Sequence, residues 1–162
     1  MFPESVLSLA KSLMHAAADA RLTIAFAESC TGGLMASAMT ELDGASAVVD
    51  RGFVVYSNRA KTEMLGVSPE LIGQYGAVSE EVARAMAEGA LENSNADLAV
   101  SCTGIAGPTG DTPTKPIGLV HFAAARKGQT MLHLECRFGD IGRAQVRMKS
   151  VEAGLKLLLQ IL

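Results

Sequence analysis

The stretch Leu22-Thr23-Ile24-Ala25-Phe26-Ala27-Glu28-Ser29-Cys30-Thr31-Gly32-Gly33 decides the fold. Its first half is almost wholly apolar, its end is a glycine pair, and a helical pattern begins near Leu34. This order predicts a buried strand over 22–27, a tight turn, and a helix over 33–42. The corner gathers a serine hydroxyl, a thiol and a threonine hydroxyl at one helix N-terminus. There the first amides lack partners, and the helix dipole favours an anion or a developing oxyanion. An ordinary strand-to-helix turn with Ser29 or Thr31 as N-cap explains the same residues equally well.

Outward from that corner the pattern repeats. Val6, Leu9, Ala10, Leu13, Met14 and Ala17 recur at helical spacing and predict an amphipathic helix over 4–20. A second apolar run, Gly52-Phe53-Val54-Val55-Tyr56, predicts another strand. Asn58 is then the expected N-cap of a short helix carrying Ala60, Lys61, Met64 and Leu65. Ser79-Glu80-Glu81 opens a further helix with its acids suitably placed in the first turn. A third strand, 97–102, runs into Thr103-Gly104, and 104–116 is too rich in glycine and proline to be regular. Strands over 117–126 and 130–138 are joined through Lys127-Gly128-Gln129. In the second of them Leu132, Leu134, Cys136 and Phe138 alternate with His133, Glu135 and Arg137, which places His133 on a wet face. Val151, Leu155, Leu158 and Leu162 form one stripe of a final helix. The expected fold is α/β: a three-layer α/β/α sandwich on a mixed, mainly parallel sheet with a late antiparallel hairpin.

Composition bounds the function. At 162 residues the chain is expected to be one domain, residues 1–162, with a core of aliphatic rather than aromatic side chains, since aromatics are only 4%. Fourteen Lys and Arg against seventeen Asp and Glu give a net charge of −3, which argues against a dedicated nucleic-acid binder. No apolar run reaches the length of a membrane span, and no secretory signal follows Met1. Cys30, Cys102 and Cys136 are an odd, unclustered set and read as reduced thiols of a cytoplasmic protein.

In open α/β sheets, sites form outside the carboxyl ends of parallel strands. Three such ends carry polar groups here: Glu28-Ser29-Cys30-Thr31, Tyr56-Ser57-Asn58 and Cys102-Thr103-Gly104. Lys61 lies one helical turn beyond Asn58, so its side chain is able to point back toward Ser29. That arrangement offers a serine–lysine pair, provided burial lowers the lysine pKa from about 10.4 toward neutrality. The alternative is a solvated Lys61 on a short helix. Cys30 is a second candidate nucleophile, although no histidine stands near it in sequence to support a thiolate. Neither histidines nor cysteines show metal-ligand spacing. Gly104-Ile105-Ala106-Gly107 lacks the third glycine and the following helix of a dinucleotide fingerprint.

Several motifs together resemble the C-terminal domain of the competence/damage-inducible CinA family. They are Ala27-Glu28-Ser29-Cys30-Thr31-Gly32-Gly33; Arg51-Gly52-Phe53-Val54-Val55-Tyr56-Ser57-Asn58 with Lys61; Gly76-Ala77-Val78-Ser79; Gly104-Ile105-Ala106-Gly107-Pro108; and Lys115-Pro116-Ile117-Gly118. They occur in the family's order, from the first helix to the last. The resemblance implies a stand-alone form without the N-terminal domain that some relatives carry. It also implies a nicotinamide-nucleotide amidase, which hydrolyses the carboxamide of nicotinamide mononucleotide (NMN) to nicotinate mononucleotide and ammonia, without a cofactor and as a homo-oligomer. The other function to weigh is a non-catalytic nucleotide-binding or competence-linked module that keeps the pocket without the chemistry.

By the same resemblance, Ser29 is the nucleophile, Lys61 the general base and Tyr56 a supporting hydroxyl near the lysine. Thr103 is a substrate or oxyanion contact. Backbone amides around Thr31, Gly32 and Gly33, or at Thr103 and Gly104, are the expected oxyanion donors. Arg143 stands for the basic residue that meets the nucleotide. Relatives commonly read Gly-Asp-Arg there, whereas this chain has Gly139-Asp140-Ile141-Gly142-Arg143, so Arg147 stands beside Arg143 as a candidate. Asp111 replaces a common glycine in the loop over the site.

Overall fold

Five strands form one sheet in the order β2-β1-β3-β4-β5. The computed structural model describes residues 2–162. In chain order the elements are α1 (Glu4–Ala20), β1 (Ile24–Glu28), α2 (Leu34–Thr40), β2 (Val49–Val54), α3 (Asn58–Leu65), α4 (Pro69–Tyr75) and α5 (Glu80–Glu92). They continue with β3 (Leu98–Gly104), β4 (Leu119–Arg126), β5 (Leu132–Arg137) and α6 (Arg143–Leu159). β1 pairs in parallel with β2 on one side and β3 on the other, while β4 pairs antiparallel with both β3 and β5. β4 therefore runs against all its sheet-mates, and the fold is the mixed α/β sandwich with a late hairpin that the alternation of elements predicts.

Two apolar layers flank the sheet. Ile24, Phe26, Val100 and Phe122 face α1, α2 and α6 through Leu13, Met35 and Leu155. Ala25, Ala27 and Ala99 face the other way, onto Leu65, Val82 and Met86 of α3 and α5. The small residues on that second face matter. They let α5 lie close to the sheet, and Gly89 lets α3 lie close to α5: a Cβ at Gly89 would fall 2.0 Å from the Leu65 carbonyl oxygen. After β1 the chain turns to β2 on one side and reaches β3 on the other. The carboxyl end of β1 is thus a topological switch point, where an open sheet leaves a crevice.

Several local expectations shift. β2 starts at Val49 rather than Gly52, because it is an edge strand with a wet face: Phe53 and Val55 are buried while Val54 and Tyr56 are exposed. β3 continues to Gly104, so Thr103 and Gly104 belong to the strand and not to a loop. Ser57, not Asn58, caps α3; its hydroxyl accepts the Ala60 N–H, and Asn58 is already helical. No element is anticipated over 69–75, yet Ser68 caps α4 there with Pro69 in its first turn, a recognised start signal. His133 is half-buried rather than wet, because its ring stacks on His121 beneath the start of α5.

Candidate functional site

The corner after β1 is held from inside by a carboxyl group. Glu28 is the last residue of β1 and is 1% exposed. Its Oε2 accepts the amides of Gly33 and Met35, each at 3.0 Å, and its Oε1 accepts that of Ala36 at 2.9 Å. These are the orphan donors of α2, so the helix start is neutralised within the chain. The Gly32 amide is engaged as well, donating to the Ser29 carbonyl at 3.1 Å. The N–H groups expected to hold an oxyanion at Gly32 and Gly33 therefore already have partners. On this turn the amides of Cys30 and Thr31 have no acceptor among the described residues. Gly32 sits at φ +61, a conformation that L side chains rarely adopt.

Ser29 and Lys61 meet in the crevice. Lys61 Nζ lies 3.1 Å from Ser29 Oγ, 2.9 Å from the Val55 carbonyl oxygen and 3.2 Å from that of Tyr56. The side chain is 1% exposed, and no carboxylate pairs with it among the described residues. Burial pushes the Lys61 ammonium below its usual pKa, and only a thiolate at Cys30 would oppose that. Both carbonyls can only accept. An ammonium donates to both carbonyls and to Ser29 Oγ, whereas a neutral amine donates to the two carbonyls and leaves its lone pair for the Ser29 hydroxyl.

The thiol of the alternative nucleophile has a different partner. Cys30 Sγ is 3.4 Å from Cys102 Sγ, within the core layer under α6. Burial drives the Cys102 thiol well above its ordinary pKa, reinforced by Cys30. Ser29 Oγ is the side-chain oxygen within hydrogen-bond distance of Lys61 Nζ.

A cavity of about 200 Å³ opens above the pair. Its lining includes Ser29, Cys30, Tyr56, Asn58, Lys61, Thr103, Gly104 and Arg143, so the three strand ends do converge. Thr31, Gly32 and Gly33 do not line it; the Thr31 side chain is wholly buried, and its hydroxyl has no partner among the described residues. The Thr103 hydroxyl donates to the Ala77 carbonyl at 2.8 Å. Gly104 is a close approach, since a Cβ there would lie 2.7 Å from a Val120 methyl. Tyr56 differs from expectation: its carbonyl meets Lys61, while its hydroxyl accepts from Arg143 Nη2 at 3.0 Å. Arg143 Nη1 donates to the Gly107 carbonyl at 2.9 Å, so this exposed guanidinium bridges two walls of the mouth.

Arg147 is placed quite differently. Its Nε donates to the Cys30 carbonyl at 3.1 Å and its Nη2 to the Thr31 carbonyl at 3.0 Å. It is one turn along α6 from Arg143 but grips the corner instead of the mouth. Larger clefts lie over 40–49 and between α3 and α4, at about 640 and 540 Å³, but neither brings a nucleophile to a base. A second polar cluster sits beyond the site. His121 Nδ1 and His133 Nε2 are 3.0 Å apart, with Glu80 3.4 Å from His133 and Glu135 3.8 Å from His121. Burial and the neighbouring His133 hold His121 below its usual pKa. Among the described residues no group of three or more His, Cys, Asp or Glu side chains is arranged to hold a metal ion, and no helix is long and apolar enough to cross a membrane.

Sequence reasoning missed the role of Glu28, which it quoted only as part of a motif. A buried acid at the end of a strand, six residues before a helix, is a signal for this, but an acid four residues before a glycine pair also fits an exposed turn.

Comparison with known proteins follows the same lines. The profile of the CinA C-terminal domain matches residues 6–162. A putative competence-damage inducible protein of Caldicellulosiruptor saccharolyticus is 51% identical over 142 residues, which is 87% of this chain and 33% of that protein. A CinA-like protein of Chlorobium phaeovibrioides is 46% identical over 96% of this chain and 37% of its own length. The chain spans about a third of the length of the curated relatives it matches. Among solved structures, the competence/damage inducible protein CihA from Agrobacterium tumefaciens superposes with a TM-score of 0.98 at 48% identity, covering 99% of this chain and 98% of that one. A CinA superfamily protein from Escherichia coli gives 0.92 at 34% identity, covering 100% and 94%.

Proposed function

We propose that this chain, which belongs to the CinA C-terminal domain family, is a serine–lysine amidohydrolase acting on the carboxamide of nicotinamide mononucleotide. One observation carries the reading: a buried lysine whose other two partners are carbonyl oxygens is left with a single open position, and the Ser29 hydroxyl occupies it.

Neutral Lys61 takes the Ser29 proton as Oγ attacks the carboxamide carbon. The tetrahedral intermediate carries its negative charge on the former carbonyl oxygen, which needs preorganised donors. Lys61, now an ammonium held by Val55 and Tyr56, returns the proton to the leaving nitrogen, and ammonia departs. Water then attacks the Ser29 ester with Lys61 again as base, and nicotinate mononucleotide leaves. Each cycle consumes one water and returns both groups to their starting states, so no cofactor is required.

The cavity suits the pyridine ring and its carboxamide, which leaves the phosphate for the mouth, where Arg143 lies. Arg143 is thus the phosphate contact in this reading, with Tyr56 and Gly107 holding it in place. Incubating the purified protein with NMN and following the carboxamide by proton NMR tests the proposal. Stoichiometric nicotinate mononucleotide and ammonia support it. Tight binding of unchanged NMN would instead favour a non-catalytic nucleotide-binding module.

A further inference from the structure

The two unpartnered amides of the Ser29 turn are the ends of two hydrogen-bond chains that begin at one side chain. Arg147 Nη2 donates to the Thr31 carbonyl. The same peptide carries the Gly32 N–H, which donates to the Ser29 carbonyl, and that next peptide carries the Cys30 N–H. Arg147 Nε donates to the Cys30 carbonyl, whose peptide carries the Thr31 N–H. Accepting a hydrogen bond at a carbonyl strengthens the N–H of the same peptide as a donor, and a charged donor does so most. Both chains therefore polarise toward amides that the protein leaves free, and one of them belongs to Cys30, which lines the cavity beside Ser29.

We propose that Arg147 is a positioning residue for the oxyanion: it orients and polarises the Cys30 amide, with the Thr31 amide behind it, to receive the charge formed on the carboxamide oxygen. The inference rests on the amidase reading above and names part of its machinery. Three features of the corner support it. Glu28 removes the amides of Gly33, Met35 and Ala36 from competition, so the turn has donors only at the residues following the nucleophile. Arg147 is half-buried against the corner and makes no bond to a carboxylate among the described residues, so its charge is not cancelled by a partner. Gly32 packs directly beneath the guanidinium, since a Cβ there would lie 3.4 Å from Arg147 Nη2, in van der Waals contact. An amide directly after a nucleophile is a recurrent oxyanion donor in hydrolases that place a serine on a strand-to-helix turn.

The test separates charge developed in the tetrahedral state from ground-state binding. Pyridine-3-boronic acid adds to Ser29 Oγ to give a tetrahedral, anionic boronate; the hydroxyl proton passes to Lys61, the boron stands where the carboxamide carbon would, and one of its hydroxyls takes the place of the oxyanion. NMN bound to a Ser29→Ala background reports the ground state. Arg147→Met keeps the stem and removes both donors. The expected result is at least about a ten-fold loss of boronate affinity, the direction found when oxyanion support is removed. NMN affinity on the Ser29→Ala background stays within about two-fold, and the kcat for NMN and for the unphosphorylated riboside fall by the same factor, as expected of an interaction made in the transition state. Arg147→Lys, which keeps a charged donor, restores part of the loss. Loss of NMN affinity without loss on the riboside would make Arg147 a phosphate ligand and overturn the proposal. Equal loss of boronate and NMN affinity would reduce it to general support of the corner, and no change in either would remove it. A wild-type protein that binds the boronate but leaves NMN intact would sink the amidase reading while the boronate comparison still decides the role of Arg147. A wild type to which no boronate adds would contradict both.

Discussion

Lys61 Nζ lies 3.1 Å from Ser29 Oγ although the two residues are 32 positions apart in the chain. In the proposed mechanism this pair works only if the lysine is able to give up its proton. Lys61→Met, which keeps most of the packing, and Lys61→Arg, which keeps the charge, are both expected to lower kcat by about 10²–10⁴-fold, the usual contribution of a positioned base. Arginine stays protonated in proteins and cannot take the Ser29 proton. Steady-state ammonia release checks this, with circular dichroism to confirm folding. A near-normal Lys61→Arg rate would leave the lysine only an electrostatic role.

The pH dependence follows from the same burial. Desolvation lowers the Lys61 pKa from its ordinary value of 10.5. In the proposed mechanism the base form is the active one, so kcat/KM is expected to rise with pH as Lys61 loses its proton. Stability moves in the same direction. The unfolded chain binds this proton more tightly than the folded one, so ΔG of unfolding increases with pH from the lowered value up to 10.5. Urea titrations across that window show the rise in the wild type. Lys61→Met removes it.

Arg143 is expected to act on the nucleotide and not on the bond being broken. Arg143→Ala raises KM for NMN by about ten-fold, ~1.4 kcal/mol, and changes the riboside far less. Paired Michaelis curves on the two substrates check it. An equal loss on both would place the guanidinium outside the phosphate contact.

Much of this site is legible in the sequence, for identifiable reasons. The strand ending at Glu28 and the helix after Gly33 follow from an apolar run and a glycine pair, which are local signals. Ser29 stands out by residue type at the end of β1, and Lys61 by lying one turn into the helix that follows β2. What brings them together is not local: it needs β1 between β2 and β3, and α3 pressed onto α5. The partners of Lys61 are carbonyls, which every residue owns, so no side-chain pattern marks them. Arg143 and Arg147 are two basic candidates four residues apart on one helix. Spacing places both on one face of α6, and only the packed corner shows that Arg143 reaches the mouth while Arg147 reaches the backbone beneath it. The edge strand β2 hid its start for a similar reason, since Asp50 and Arg51 read as loop residues when one face of the strand is wet.

Gly89 holds the lysine helix in place from a distance. Its added Cβ in Gly89→Ala would fall 2.0 Å from the backbone oxygen of Leu65, which cannot swing aside as a side chain would. The substitution favours the isolated helix, yet the crowding is expected to destabilise the protein by about 1–3 kcal/mol, the range for overpacked interiors. Chemical denaturation measures it, as a lower midpoint at unchanged slope. A stabilised variant would mean that α3 and α5 move apart freely.

The most direct measurement is ammonia released from NMN by the wild type, Ser29→Ala and Cys30→Ala, at equal concentration and with folding verified. The account predicts steady release by the wild type and by Cys30→Ala. It predicts a loss on the order of 10⁴–10⁶-fold in Ser29→Ala, as when a serine nucleophile is removed from a hydrolase. Ser29→Ala retaining a substantial share of the wild-type rate, or a wild type that releases no ammonia, would contradict it.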